Sequence, residues 1–432
     1  MKTLLRTVEH KLCFLTIKSF TGGRDRFLSD LEFDARKVQR SHIVNGLSSN
    51  FLHNLYNMLR YHMQGFSGYG VQYSPFFDNR LAVAAGSNFG LVGNGKLFIL
   101  EIDRSGRIVQ VNSFLTQDCL FDLAWNESHE NQVLVAQGDG TLRLFDTTFK
   151  EFPIAIFKEH EREVFSCNWN LVNRQNFLSS SWDGSIKIWS PLRKQSLMTL
   201  TPRPLEITKM VDPLNAIILK KKSFTGISKN RNCVYQAQFS PHDQNLVLSC
   251  SGNSYASLFD IRLPSGKNQN NFLVHSGLEA LTCDFNKYRP YVVATGGVDN
   301  AIRIWDIRML NKNESATIKR TVPGQPHNSS CINEIPNAHG LAIRKVTWSP
   351  HHSNILMSAS YDMTCRIWRD LSNDGAKETY KTNSTDATKG SIFNFTQHSE
   401  FVFGADWSLW GKPGYVASTA WDGNLFVWNG LG

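Results

Sequence analysis

The feature that most constrains this chain is a repeated interval. In FLSSSWDGSIKIWS, Phe177 to Ser190, Asp183 precedes Trp189 by six residues. The Asp-Gly pair has turn chemistry, a carboxylate that can bond its own backbone and a residue without Cβ, while Ile186, Ile188 and Trp189 have the bulk that favours strands. The stretch therefore reads as two strands joined by a tight turn. The same six-residue spacing recurs from Asn94 to Leu100, Asp139 to Phe145, Asn253 to Phe259, Asp299 to Trp305, Asp362 to Trp368 and Asp422 to Trp428. Successive Asp or Asn positions stand 45, 44, 70, 46, 63 and 60 residues apart. Seven units of about 40 to 45 residues, three carrying insertions, imply one repeat architecture rather than the several domains that length alone would suggest.

A second marker fixes the kind of repeat. His160, His275, His339 and His398 precede their Asp positions by 23, 24, 23 and 24 residues. This combination resembles the WD-repeat family, in which His, a strand Ser or Thr, the turn Asp and the Trp form one hydrogen-bonded chain; the resemblance makes these His and Asp residues scaffold. The expected fold is all-β, a seven-bladed WD40 β-propeller over residues 58–432. Each blade needs four strands, yet the last unit stops at Trp428 after its third, so a strand in Leu59 to Phe66 is expected to complete the last blade and close the ring. Residues 1–57 carry no repeat marker and read as an extension, disordered or translated from a misplaced start. Its first twenty residues faintly resemble a mitochondrial presequence, a bias that Asp25, Asp30, Glu32 and Asp34 spoil.

Three segments, 202–231, 312–336 and 372–390, are polar or proline-bearing and are expected to be loops. The first turn, Gly86 to Gly95, is enlarged relative to the others.

Composition excludes several classes. The formal charge is +9, of which residues 1–57 hold +4, and no basic stripe with interleaved aromatics appears, so a nucleic-acid partner is not expected. No apolar run is long enough to span a membrane, and insertion is not expected. The eight cysteines form no C-x-x-C; Cys119, Cys167, Cys233 and Cys283 fall in the first strand of a blade as buried thiols, which suits a reducing compartment. There is no P-loop, nucleophile elbow or metal-ligand spacing, so no enzyme activity, cofactor or metal is expected.

Function is then expected at a face. The loops approaching each blade and the turns holding Asp lie at one end of a WD ring, and they supply Asp118, Glu161, Glu163, Glu279 and Glu400, with Arg344 the exception, beside Trp182, Tyr361 and Trp421. Acids from several blades gathered on a net-positive protein would invite a cation. Asp118 and Glu163, at adjacent blades, are expected to hold one together.

Specific segments carry a closer resemblance: GYGVQYSP at Gly68 to Pro75, RLAVAAGSNFGLVGNGKLFIL at Arg80 to Leu100, CLFDLAWNE at Cys119 to Glu127, KEHEREVFSCNW at Lys158 to Trp169, AIRKVTWSPHHSNIL at Ala342 to Leu356 and HSEFVFGADWS at His398 to Ser408. Over Met58 to Gly432 the chain resembles yeast-like receptors for the type-2 peroxisomal targeting signal. The resemblance implies a monomeric receptor in the cytoplasm that cycles to the peroxisome with an import co-receptor and docking proteins. Its ligand would be the N-terminal signal of matrix enzymes: Arg or Lys, an aliphatic residue, five variable residues, His or Gln, then Leu or Ala. On a helix the first and eighth positions, and the second and ninth, share one face. Asp118, Glu163, Trp182, Glu279, Tyr361, Glu400 and Trp421 are the residues expected to bind it. The alternative is a scaffold of the histone-binding WD type, which would need a long amphipathic helix before the ring and an acidic insert; neither is legible here.

Overall fold

The seven intervals become seven four-stranded antiparallel sheets. The computed structural model describes residues 58–202, 233–264, 268–275, 277–310, 330–372 and 390–432. Blade 1 runs over 67–116, blade 2 over 120–158, blade 3 over 164–200, blade 4 over 234–273, blade 5 over 280–335 and blade 6 over 343–395. Blade 7 takes three strands from Val402–Trp407, Tyr415–Ala420 and Asn424–Asn429, and its outer strand from Leu59–His62. Leu59 pairs with Val427 and His62 with Asn424. The expected closure is therefore present. Its strand is shorter than Leu59 to Phe66, because the chain turns at Gly65 (φ 79°) and Phe66 N–H bonds back to the Met63 carbonyl.

One loop expectation is corrected. Cys331–Ile335, the end of the expected loop 312–336, is the outer strand of blade 5. An outermost strand is buried on one side only, so its Cys-Ile-Asn-Glu-Ile run lacks the apolar density of an inner strand. Residues 312–329 of that loop, residues 1–57 and nearly all of 202–231 and 372–390 lie outside the described residues. Cys167 and Cys283 sit in inner strands as expected, whereas Cys119 and Cys233 each stand one residue before theirs; all four are buried and unbridged.

The turns follow the Asp chemistry read from sequence. Asp139, Asp183, Asp362 and Asp422 each accept the backbone N–H two residues on through Oδ1, at 2.8 to 3.1 Å. In six of the seven turns the residue after the Asp or Asn is left-handed: Gly140, Gly184 and Gly423 occupy it without strain, Asn300 is tolerated there, and Ser254 and Met363 occupy it against their preference.

Three of the four complete units form the whole hydrogen-bonded chain. In blade 3, Trp189 Nε1 donates to Ser179 Oγ at 2.8 Å, Ser179 lies 2.7 Å from His160 Nε2, and His160 Nδ1 lies 2.7 Å from Asp183. Blades 6 and 7 repeat it through Trp368, Ser358, His339 and Asp362, and through Trp428, Ser418, His398 and Asp422. Blade 5 breaks it. There Arg303 donates to Asp299 and crowds His275 Nδ1, and His275 Nε2 has no hydrogen-bond partner.

Packing lies between blades. The buried apolar side chains fall into clusters each shared by two neighbours, such as Leu134, Leu142 and Leu144 of blade 2 against Val164, Trp169, Phe177 and Trp189 of blade 3. Inner-strand side chains add a polar seam. Gln72 accepts Trp125 N–H, Asp122 accepts Cys167 N–H, Asn168 accepts Phe239 N–H, Asp284 accepts Trp348 N–H and Asp406 accepts Tyr73 N–H, each bond crossing to the next blade. Among the described residues no helix is long and apolar enough to cross a membrane.

Candidate functional site at the channel mouth

In each of the seven inner strands the pairing slips by one residue. The slips fall at Tyr69, Phe121, Phe165, Tyr235, Leu281, Arg344 and Phe403. A bulged residue leaves the ladder and its side chain is re-aimed. Here they meet around the central channel: Tyr69 lies 5.4 Å from Phe121 and 4.9 Å from Phe403, Phe121 lies 5.0 Å from Phe165, and Phe165 lies 5.8 Å from Tyr235, ring centre to ring centre. Arg344 spans the gap, its guanidinium 4.6 Å from the Phe165 ring and 5.7 Å from the Phe403 ring.

The three aromatic residues expected in the turns join this ring. Trp182, Tyr361 and Trp421 donate their backbone N–H to the carbonyls of Glu163, Ala342 and Phe401, which ties each turn to the loop approaching the same blade. Their side chains point inward: Trp182 stacks on Phe165 at 4.9 Å, Trp421 stacks on Phe403 at 5.0 Å, and Tyr361 lies 5.2 Å from Phe403. All three are buried, so they form the floor of the mouth.

The enlarged first turn contributes a residue that sequence reasoning did not single out. Phe89 lies 5.5 Å from Trp421 and is 39% exposed, the most accessible ring of the mouth. Its φ is 54°, a costly conformation for a bulky residue. The Tyr69 hydroxyl donates to the Phe89 carbonyl and holds it there.

The acids occupy different settings. Asp118 is half-buried and accepts Cys119 N–H at 2.7 Å; its carboxyl lies against Gly138, where a Cβ would stand 2.9 Å from it. Glu161 is exposed, and its N–H donates to Asp183. Glu163 is buried, 3.6 Å from Arg162, and its Oε1 has no hydrogen-bond partner. Glu279 is half-buried and accepts the Tyr235 hydroxyl at 2.9 Å; Glu400 is half-buried. Glu163 and Glu279 converge on Cys233: burial pushes its thiol up to about 11, with Arg162 opposing and both glutamates reinforcing the rise. The structure thus groups Glu163, Arg162, Cys233, Tyr235 and Glu279 at the border of blades 3, 4 and 5.

Beyond Phe89, sequence reasoning did not draw out the bulged ring itself. Its signal was present: an aromatic or large residue recurs as the second residue of the inner strand in Phe121, Phe165, Tyr235 and Phe403. Among the described residues no group of three or more His, Cys, Asp or Glu is placed to hold a metal.

Comparison with known proteins gives concordant results. The family model for the WD domain, G-beta repeat, matches residues 151–190, 266–306 and 329–369. The chain is 43% identical over 390 residues to the peroxisomal targeting signal 2 receptor of Komagataella phaffii, covering 86% of this chain and 99% of that protein. It is 30% identical to the mouse protein of the same name, over 84% of this chain and 94% of that one. The Saccharomyces cerevisiae histone-binding protein MSI1 is 22% identical over 62% of this chain and 51% of its own length.

Proposed function

Because the chain belongs to the family of peroxisomal targeting signal 2 receptors, we propose that its channel mouth binds the N-terminal type-2 signal of peroxisomal matrix enzymes. The chain is an import receptor and not an enzyme. The observation that carries the proposal is the composition of the mouth, an aromatic floor that reaches the exposed Phe89 at Trp421 and the carboxylate of Glu279 at Tyr235, with the buried Glu163 beside Arg162. The signal binds as a short helix. Its cationic first residue meets the rim acids, Asp118, Glu163, Glu279 and Glu400, through charge-assisted bonds, and its apolar stripe lies on the rings.

A helix on an open face keeps part of that stripe exposed, and an import co-receptor covers it, so signal affinity rises when both proteins are present. The receptor loads in the cytoplasm and cycles to docking proteins at the peroxisome. The histone-binding alternative has only the weaker likeness, spanning half of the relative's length.

The test is calorimetry of the full chain with a signal peptide and with its variant bearing Glu at position one. The expected result is binding of the first and loss of the second. Equal binding of both, or binding of neither, overturns the proposal.

A further inference from the structure

Six of the seven bulged residues at the mouth are Tyr, Phe or Leu, and the seventh is Arg344. Its side chain is only 6% exposed. The guanidinium faces two rings, which engage its π surface but accept none of its five N–H donors. Nε is buried without an acceptor, and among the described residues no carboxylate oxygen lies within 4.0 Å.

A buried charge without a hydrogen-bonded counter-ion is costly, and arginine cannot escape the cost by losing its proton. Packing alone does not call for it, since an uncharged aromatic or aliphatic side chain fills this position in the other six blades. The cation also lines a cavity of about 20 Å³, shared with Lys345, Asp122, Ser166 and Gln236. That volume has room for a small polar group and none for main chain. What reaches Arg344 is therefore the tip of one side chain, or a small ion. Asp122 on the cavity wall is acted on by Lys345 ahead of Arg344, and Lys345 also acts on the buried Asp406, so the acids of this region answer Lys345 before Arg344.

We propose that Arg344 receives a single carboxylate, from an Asp or Glu side chain of the segment lying across the mouth. This rests on the reading of the mouth as the signal site. The mouth then has two poles, acids on the rim and a cation at the axis, and a bound segment is oriented by presenting its cation to one and its acid to the other.

The test uses the full chain and signal peptides in which one Glu is walked through the five variable positions, each compared with Gln at the same place. The expected result is one position where Glu binds about tenfold or more tighter than Gln. That preference disappears in Arg344→Met and is partly kept in Arg344→Lys, which retains the charge but not the planar fork. Melting curves accompany each variant; if Arg344→Met does not fold, a reduced preference is read in Arg344→Lys, and an undiminished one there overturns the inference. Peptides that bind with no Glu preference anywhere overturn the inference and leave the signal site standing. Binding of no peptide overturns both. Stabilisation of the peptide-free chain by inorganic phosphate, abolished in Arg344→Met, assigns the cavity to a free anion and overturns the carboxylate reading.

Discussion

Leu59, the first residue of the closing strand, is the antiparallel partner of Val427, near the far end of the chain. The last blade is held together by this non-local pairing, and Met58 and Leu59 pack on the clusters flanking it. Deleting residues 2–57 is expected to leave the melting midpoint and signal binding of the ring unchanged. Extending the deletion through His62 exposes the edge of Asn424–Asn429 and is expected to lower the midpoint and promote association. Equal midpoints for the two deletions, by calorimetry with size-exclusion chromatography, would remove closure as a source of stability.

Asp183→Ala is expected to destabilise the propeller by about 1–3 kcal/mol, because Asp183 carries the bonds of His160, Ser185 and the Glu161 N–H. Burial pushes its carboxyl up, but bonds from His160 and Ser185 win and hold it at about 2, below the ordinary 3.8. A depressed folded-state value stabilises above the unfolded value and is lost as pH falls, here between about 4 and 2. Acid unfolding of Asp183→Asn should be shallower in that window. Lost signal binding with an unchanged midpoint would instead make Asp183 a ligand contact.

Asp406 has the opposite sign. Burial raises its carboxyl to about 6, against the Tyr73 N–H and Lys345, which pull it down. A raised folded-state value favours the native state at low pH, and that advantage is lost as pH rises from about 4 to 6. Asp406→Asn, which can still accept the Tyr73 N–H, is expected to raise the midpoint at pH 7.5 and to change it little at pH 4. An unchanged midpoint at both values would show that the buried carboxylate carries no penalty.

Glu163 and Asp118 are expected to differ as cation acceptors. Glu163 is buried with one oxygen unpartnered, so Glu163→Gln should weaken signal binding by about 2–5 kcal/mol. Asp118 is half-buried, so Asp118→Asn should act mainly on association rate and salt dependence. Surface plasmon resonance at two ionic strengths separates the cases. Wild-type affinity in both variants moves the cation site to Glu279 and Glu400.

Phe89→Ala removes a partly exposed ring that packs on Trp421 at the edge of the mouth, so its midpoint should fall little while signal affinity falls by about 1–2 kcal/mol. Tyr69→Phe removes the hydroxyl that holds Phe89 in its left-handed conformation and should produce part of the same loss. Unchanged affinity in Phe89→Ala would place the apolar stripe elsewhere on the mouth.

The repeats were legible because their signals are short in sequence. A six-residue interval spans one turn and one strand, and the His spacing spans the first two strands of a blade, so residue type and separation alone carried blade number, turn chemistry and most of the scaffold bonds. The outer strand Cys331–Ile335 was not legible, since a strand covered on one side only needs no dense apolar pattern. Nor was the break in blade 5, where Arg303 intrudes on a His275 whose spacing to Asp299 matches the others.

The sequence by itself determined a seven-unit ring, its closure from the N-terminal side and the end at which acids and aromatics collect, because each follows from local chemistry repeated. Tertiary structure alone decided what those residues do there. The slip in each inner strand aims one side chain at the axis, and closing the ring sets Arg344 of blade 6 against Phe165 of blade 3 and Phe403 of blade 7. It also buries Glu163 beside Arg162 while leaving Asp118 half-open. Burial, and the lack of a pair at Arg344, arise from neighbours distant in the chain, and no spacing within one repeat encodes them.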